Sequence, residues 1–313
     1  MRPEIDLRWI EYFRRNGFPD TRGLSTGMEG AVYSLVPSQV VAKVWLNKTE
    51  VDLRLLKAFY DALGRVSRGI DTPNIQEIRI VDGALISIEK FLPGVLLQEI
   101  LPEDAEQPNR AAVQAIVAVL EFLRQVPPQP ELSRLYVLNE SISPWSATGK
   151  WSEAITAIID RRLLRFRDQL RLAVPNFDNI RNAASAFLRT RDSAPMGLIH
   201  GDLCGANIMI DADASPLSVF DFGFLSTVGD PAFDASISSA IFNMYGEHAR
   251  KIDDQVTALF GKALNYPHEV LLGYRAVYAM LTSNAYSPEG LDGHFRWSVA
   301  MLRRDDVQAS LGL

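Results

Sequence analysis

Leu198-Ile199-His200-Gly201-Asp202-Leu203-Cys204-Gly205-Ala206-Asn207-Ile208-Met209-Ile210 is the stretch on which the reading of this chain turns. Its two ends are short apolar runs of strand type, and the glycines between them mark a loop. Asp202 and Asn207 stand on that loop, five residues apart. Fourteen residues beyond Asn207 comes Asp221, in Val219-Phe220-Asp221-Phe222-Gly223. An aspartate that closes an apolar strand and is followed by glycine sits at a strand end, where a ligand can reach it.

Two carboxylates and an amide are hard oxygen donors. Phosphoryl transfer needs such a set: a carboxylate near the incoming hydroxyl, and oxygen ligands for magnesium. Asp202 suits the base or orienting role, and Asn207 and Asp221 suit metal binding.

Upstream of this segment the first 90 or so residues read as strand-rich with one helix. Residues 32–36 and 40–45 are β-branched runs parted by Pro37-Ser38-Gln39, a hairpin pattern. Thr49 reads as an N-cap for a helix over 50–63, with Leu53, Leu56, Phe59 and Leu63 on one face and Gly64 as its stop. Asp82-Gly83 between 77–81 and 84–88 predicts a second hairpin. After Pro93-Gly94 the pattern turns helical, over 110–126, 152–172, 179–189, 253–264 and 269–283. The expected division is therefore 1–93 and 94–313.

His200-Gly201-Asp202 with Asn207 resembles the catalytic loop of the kinase superfamily, in the His-Gly-Asp form of the aminoglycoside phosphotransferase family. Asp221-Phe222-Gly223 resembles its metal-binding motif. Gly229-Asp230-Pro231-Ala232-Phe233-Asp234 resembles the segment that follows in aminoglycoside and choline kinase relatives, where the last aspartate supports the catalytic loop. The likeness runs over residues 22–235. It implies an α+β, bilobal protein-kinase-like fold: a small antiparallel β-sheet lobe with one helix as nucleotide clamp, and a larger, mainly helical lobe with the catalytic loop and the acceptor pocket. It also implies ATP (or GTP) and Mg2+ as cofactors. Ser25-Thr26-Gly27-Met28-Glu29-Gly30 resembles a glycine-rich loop in which Gly27 and Gly30 let backbone approach phosphates. Lys43 resembles the strand lysine on the α- and β-phosphates. Its helix partner would be Glu50, with Asp52 open as the alternative. Glu89-Lys90-Phe91 resembles the lobe-linking segment whose backbone holds adenine, which makes Glu89 and Phe91 candidates for binding the nucleotide. Asp202 is the candidate catalytic residue, and Asn207 and Asp221 the candidate metal ligands.

The rest of the sequence excludes more than it assigns. The net charge of −6 argues against a nucleic-acid partner and is compatible with a cationic acceptor. No apolar run is long enough for a membrane helix, and no signal segment opens the chain. A lone cysteine, Cys204, excludes an internal disulfide, so the cytoplasm is expected. Thr148-Gly149-Lys150-Trp151 fails as a P-loop, because Pro144 and Trp151 stand where glycine and Ser or Thr are required. The four histidines show no zinc spacing. His200 reads as scaffold, Cys204 as a small filler, and Trp145, Trp151 and Trp297 as packing rather than pocket lining. Asp230, Glu247 and Glu289 are acids that could meet ammonium groups. The expected function is a small-molecule kinase acting on a hydroxyl, foremost of an aminoglycoside-type antibiotic. The alternatives are a metabolic kinase for choline, homoserine or a sugar alcohol, and a nucleotide-binding pseudokinase. Nothing in the sequence fixes the oligomeric state.

Overall fold

The computed structural model describes residues 4–102 and 105–313. The chain forms two compact units, Met1–Gly94 with Leu217–Phe220, and Val95–Pro216 with Asp221–Leu313.

The first unit is built on a five-stranded antiparallel sheet of order β1-β2-β3-β5-β4. The strands are β1 (Arg22–Gly27), β2 (Gly30–Leu35), β3 (Val40–Trp45), β4 (Ile75–Val81) and β5 (Ala84–Lys90). Asp82 and Gly83 both adopt positive φ, 50° and 81°, the geometry that a two-residue Asp-Gly hairpin requires. Helix α1 (Leu7–Arg15), which the sequence reading did not anticipate, starts at Asp6, whose side chain accepts from the Arg8 N–H at 2.9 Å. It buries Trp9 and Phe13 against Tyr33, Leu35 and Ile86 of the sheet. Helix α2 (Glu50–Val66) opens on a capping box between Thr49 and Asp52 and buries Leu53, Leu56, Phe59 and Leu63, as its spacing predicts. The expected stop at Gly64 is wrong: the helix continues to Val66 and ends at Ser67. A glycine in the last turn costs a helix only about 1 kcal/mol, less than the packing of this face returns.

The second unit is mainly helical. Its short strands are β6 (Val95–Leu96), β7 (Gly197–Ile199), β8 (Ile208–Ile210) and β10 (Thr227–Gly229). Strand β9 (Pro216–Val219) enters the first unit, where the Asp71 N–H donates to Leu217 and the Val219 N–H returns to Asp71, at 2.8 and 3.1 Å. The helices are α3 (Arg110–Gln125), α4 (Trp151–Ala173), α5 (Phe177–Thr190), α6 (Ala232–Ile241), α7 (Ala249–Leu264), α8 (His268–Thr282), α9 (Gly293–Arg303) and α10 (Asp305–Ser310). The five expected helices are present, and α6, α9 and α10 are additional. Helix α8 is buried on every side from Val270 to Thr282, which marks it as the core of this unit. It carries one charge inward: Arg275 is fully buried and pairs with both oxygens of Asp253 at 2.6 Å. Asp253 also takes Arg304 at 2.5 Å. Burial opposes its ionisation, but the two guanidiniums prevail and hold it below the usual carboxylate range. Among the described residues, no helix is long and apolar enough to cross a membrane.

Candidate active site

In the second unit, β7 delivers the chain into the 200–207 loop. Gly201 adopts φ +81°, and a Cβ there would lie 2.3 Å from Cβ of Leu225 and 2.6 Å from its carbonyl carbon. That crowding explains the glycine between His200 and Asp202. The loop is held from below by Asp234, fully buried in α6, whose carboxylate accepts the His200 and Gly201 N–H groups at 2.5 and 2.8 Å. Burial pushes this carboxyl up to about 7, against the pull of the two donors. The His200 imidazole is fully buried, lies 4.4 Å from the Phe222 ring, and its Nδ1 accepts the Asp202 N–H at 3.3 Å. Ser226, which sequence reasoning missed, ties the two motifs together. Its hydroxyl donates to the His200 carbonyl at 2.6 Å and accepts the Gly223 N–H at 2.9 Å. Only its position three residues after Gly223 could have pointed to it.

Asn207 is buried at the end of a 3-10 turn (Gly205–Asn207), and its Nδ2 donates to the Asp202 carbonyl at 2.8 Å. Its amide oxygen therefore faces away from that carbonyl. Asp221 adopts φ +65°, a left-handed conformation that costs a non-glycine residue about 1–2 kcal/mol and that concentrates at functional positions. Both carboxylates act on one neighbour. The Cys204 thiol is pushed up to about 12, by burial first, then by Asp202, with Asp221 contributing less. Cys204 is therefore a protonated filler at neutral pH. Among the described residues, no group of three or more His, Cys, Asp or Glu side chains could hold a metal ion. The side-chain oxygens of Asp221 and Asn207 are hard donors of the type that magnesium takes alongside water and phosphate.

In the first unit, β2 and β3 pair Gly30 with Trp45. A Cβ on Gly30 would lie 2.0 Å from the Val44 carbonyl oxygen, so glycine is required there. Gly27 has open space around it. Lys43 lies on β3 with its Nζ 3.8 Å from the Trp45 ring centroid and 3.1 Å from Oε2 of Glu29. Glu29 sits at the turn between Gly27 and Gly30, and its other oxygen takes Lys48 at 3.0 Å. The two helix carboxylates are engaged elsewhere. Glu50 holds Arg54 one turn on, and Asp52 accepts the Thr49 N–H. One carboxylate on Lys43 is Glu29, which the sequence reading did not consider. Glu89 accepts the Ser87 hydroxyl, and the Phe91 N–H donates to the Gln39 carbonyl at 3.2 Å. That N–H, one of the main-chain groups of the segment expected to hold adenine, has an acceptor within the unit.

A cavity of about 620 Å³ opens at Asp202, bordered by segments around 98–109, 241–252 and 278–294. The three acids considered for ammonium binding do not line it. Asp230 is buried under Arg191 and Tyr274, at 2.8 Å from each. Glu247 and Glu289 are exposed. The tryptophans pack, as expected. Trp151 stacks on Trp145 and donates to the Tyr274 hydroxyl at 2.9 Å, and Trp297 stacks on His294.

The model of the APH phosphotransferase enzyme family matches residues 49–263. The chain belongs to this family. It is therefore a phosphotransferase enzyme, and its α+β architecture recurs in solved relatives. The aminoglycoside phosphotransferase APH(3'')-Id of Streptomyces rimosus, in complex with ADP and streptomycin, superposes with a TM-score of 0.54 at 16% identity, covering 89% of this chain and 99% of the other. The macrolide 2'-phosphotransferase MphH of Brachybacterium faecium gives a TM-score of 0.54 at 15% identity, with 94% and 97% covered. A GDP complex of an aminoglycoside 2'-phosphotransferase gives 0.55 at 15%, with 97% and 96% covered. No curated protein matches the phosphotransferase.

One pH effect follows from the cavity wall. Burial lowers the His294 imidazole to about 4. Between that value and the roughly 6.5 of an unfolded histidine, the unfolded chain binds a proton that the folded chain refuses, so stability rises with pH. His294→Gln is expected to remove about 2–3 kcal/mol from the difference in unfolding free energy between about pH 7 and pH 4. Urea midpoints at the two pH values measure it, and an unaltered difference would mean that His294 titrates normally.

Proposed function

We propose that this phosphotransferase transfers the γ-phosphate of ATP or GTP to a hydroxyl group of a small molecule. The observation that carries the reading is Asp202, held on a buttressed loop at the edge of a cavity large enough for a small acceptor. Lys43 and the backbone at Gly27 and Gly30 hold the nucleotide phosphates. A base held at Glu89 and Phe91 would use main-chain groups other than the Phe91 N–H. Asn207 and Asp221 would hold magnesium, which when bound neutralises charge developing on the transferred group. Asp202 orients the acceptor hydroxyl. As the new O–P bond forms and the bond to the nucleoside diphosphate breaks, the hydroxyl proton passes to Asp202. The cytoplasm, where nucleoside triphosphate is plentiful, is the location that suits this chemistry. Candidate acceptors are the aminoglycoside-type antibiotics, choline, homoserine and sugar alcohols.

The test is release of nucleoside diphosphate from Mg-ATP and Mg-GTP over a panel of such acceptors. Turnover with one of them is expected, and Asp221→Ala should raise the magnesium requirement about 10-fold or more. Unchanged magnesium dependence would remove Asp221 from the metal. Glu29 adds a second expectation. Its carboxylate occupies the same ammonium that the phosphates would use. Glu29→Gln should therefore tighten ADP binding about three- to tenfold, the worth of roughly 0.6–1.4 kcal/mol. Calorimetric titration measures this, and weaker binding would show instead that Glu29 positions Lys43 for the nucleotide.

A further inference from the structure

The sheet of the first unit has two unlike faces. In the β3–β5 register Val41 lies opposite Glu89, Lys43 opposite Ser87 and Trp45 opposite Leu85, so these six side chains share one face. Ala42, Val44, Ile86 and Ile88 turn to the other, where they join Trp9 and Phe13 in an apolar cluster. On the first face Lys43 is not loose. Its side chain is only 16% exposed, and its Nζ lies 3.8 Å from the centroid of the Trp45 ring. That ring is itself fixed. Trp45 is buried, its Nε1–H donates to the fully buried Ser87 hydroxyl at 2.8 Å, and Ser87 donates in turn to the Glu89 carboxylate. A hydrogen-bond chain that ends on a charge is polarised along its length. An indole whose N–H feeds such a chain has a more electron-rich face, and that face holds a cation best when the cation is withdrawn from water.

The ring does for Lys43 what a carboxylate cannot. Glu50 and Asp52 are engaged at the start of their own helix. Glu29 does reach Lys43, but it is shared with Lys48 and competes with any phosphate for the same ammonium. A neutral ring holds the ammonium without cancelling its charge, so the hold persists when an anion arrives. We propose that Trp45 is a positioning residue for nucleotide binding, whose ring seats the Lys43 ammonium where the nucleotide phosphates meet it. This rests on the reading of Lys43 as a phosphate-holding group and adds the group that places it.

The test uses the full chain, with Mg-ADP titrated calorimetrically and adenosine measured by displacement of ADP. Trp45→Leu should weaken ADP about 10-fold, the worth of a ring under a desolvated cation. Adenosine carries no phosphate for Lys43 to hold, so its affinity should stay within about twofold of wild type. Trp45→Phe keeps a ring face and should hold ADP within about threefold. In the Lys43→Met background, adding Trp45→Leu should change ADP affinity by less than about twofold, because the two side chains act as one unit. A spectroscopic arm needs no leucine variant, should that one fail to fold: Lys43→Met should alter the tryptophan emission, and Trp45→Phe should abolish the alteration. Equal weakening of ADP and adenosine, a phenylalanine variant as weak as the leucine one, a full loss that persists in the Lys43→Met background, or an emission indifferent to Lys43 would overturn the proposal and leave Trp45 as packing. ADP weakened by Lys43→Met but not by Trp45→Leu would overturn this inference alone. ADP binding untouched by Lys43→Met would remove Lys43 from the phosphates, and this inference with it.

Discussion

Asp202→Ala is expected to lower phosphoryl transfer on the order of 10³-fold, within the range set by loss of a positioned proton acceptor, while nucleotide affinity stays within about twofold. The residue is half-buried at the cavity, and its N–H is tied to His200. Truncation at Cβ therefore removes the carboxylate without loosening the backbone that carries it. Asp202→Asn separates the two duties of the side chain. An amide still accepts a hydrogen bond from the acceptor hydroxyl but cannot take its proton. If orientation dominates, the asparagine variant keeps much more activity than the alanine one. If proton acceptance dominates, the two fall together. Single-turnover kinetics with ADP titrations on each variant gives both numbers. A full rate for the alanine variant would end the assignment.

Asp234→Ala should be the most damaging single change to the loop. Two buried N–H groups, those of His200 and Gly201, lose their acceptor at once. Each unpaired buried donor costs about 1–3 kcal/mol, so the expected loss is about 2–5 kcal/mol. Activity should fall as well, although Asp234 touches no reacting atom, because the loop that presents Asp202 loses its support. Asp234→Asn keeps one acceptor oxygen and should cost about half as much. Urea unfolding measures the stability of both variants. Should the alanine variant unfold outright, the asparagine variant still tests the claim through kcat. A protein as stable as wild type would show that the loop is held elsewhere.

The parts of this fold that were legible in the sequence are those whose cause is local. Thr49 with Asp52, Asp82 with Gly83, and the apolar spacing of α2 each act within a few residues. The His200–Asn207 loop was equally readable, because its donors share one short segment. What escaped depends on long-range pairing. Glu29 reaches Lys43 because β2 and β3 set Gly30 beside Trp45, and nothing near residue 29 announces it. Helix α1 was missed because it is short and four of its nine residues are charged. Its signals were Asp6 as a cap and the i, i+4 pair Trp9 and Phe13. Gly64 misled because glycine is tolerated in a final turn when the opposite face is well packed. The character of the cavity was illegible because four segments build it, and acids such as Asp230 read as open while Arg191 and Tyr274 cover it.

The hydrogen bonds between Asp71 and the 217–219 segment bear on how the polypeptide is made. A ribosome releases residues 1–94 long before residue 217 emerges, so the first unit leaves the exit tunnel lacking the segment that pairs with Asp71. Its assembly can finish only after more than 100 further residues have been synthesised, and a fragment that stops at Gly94 would lack that closure.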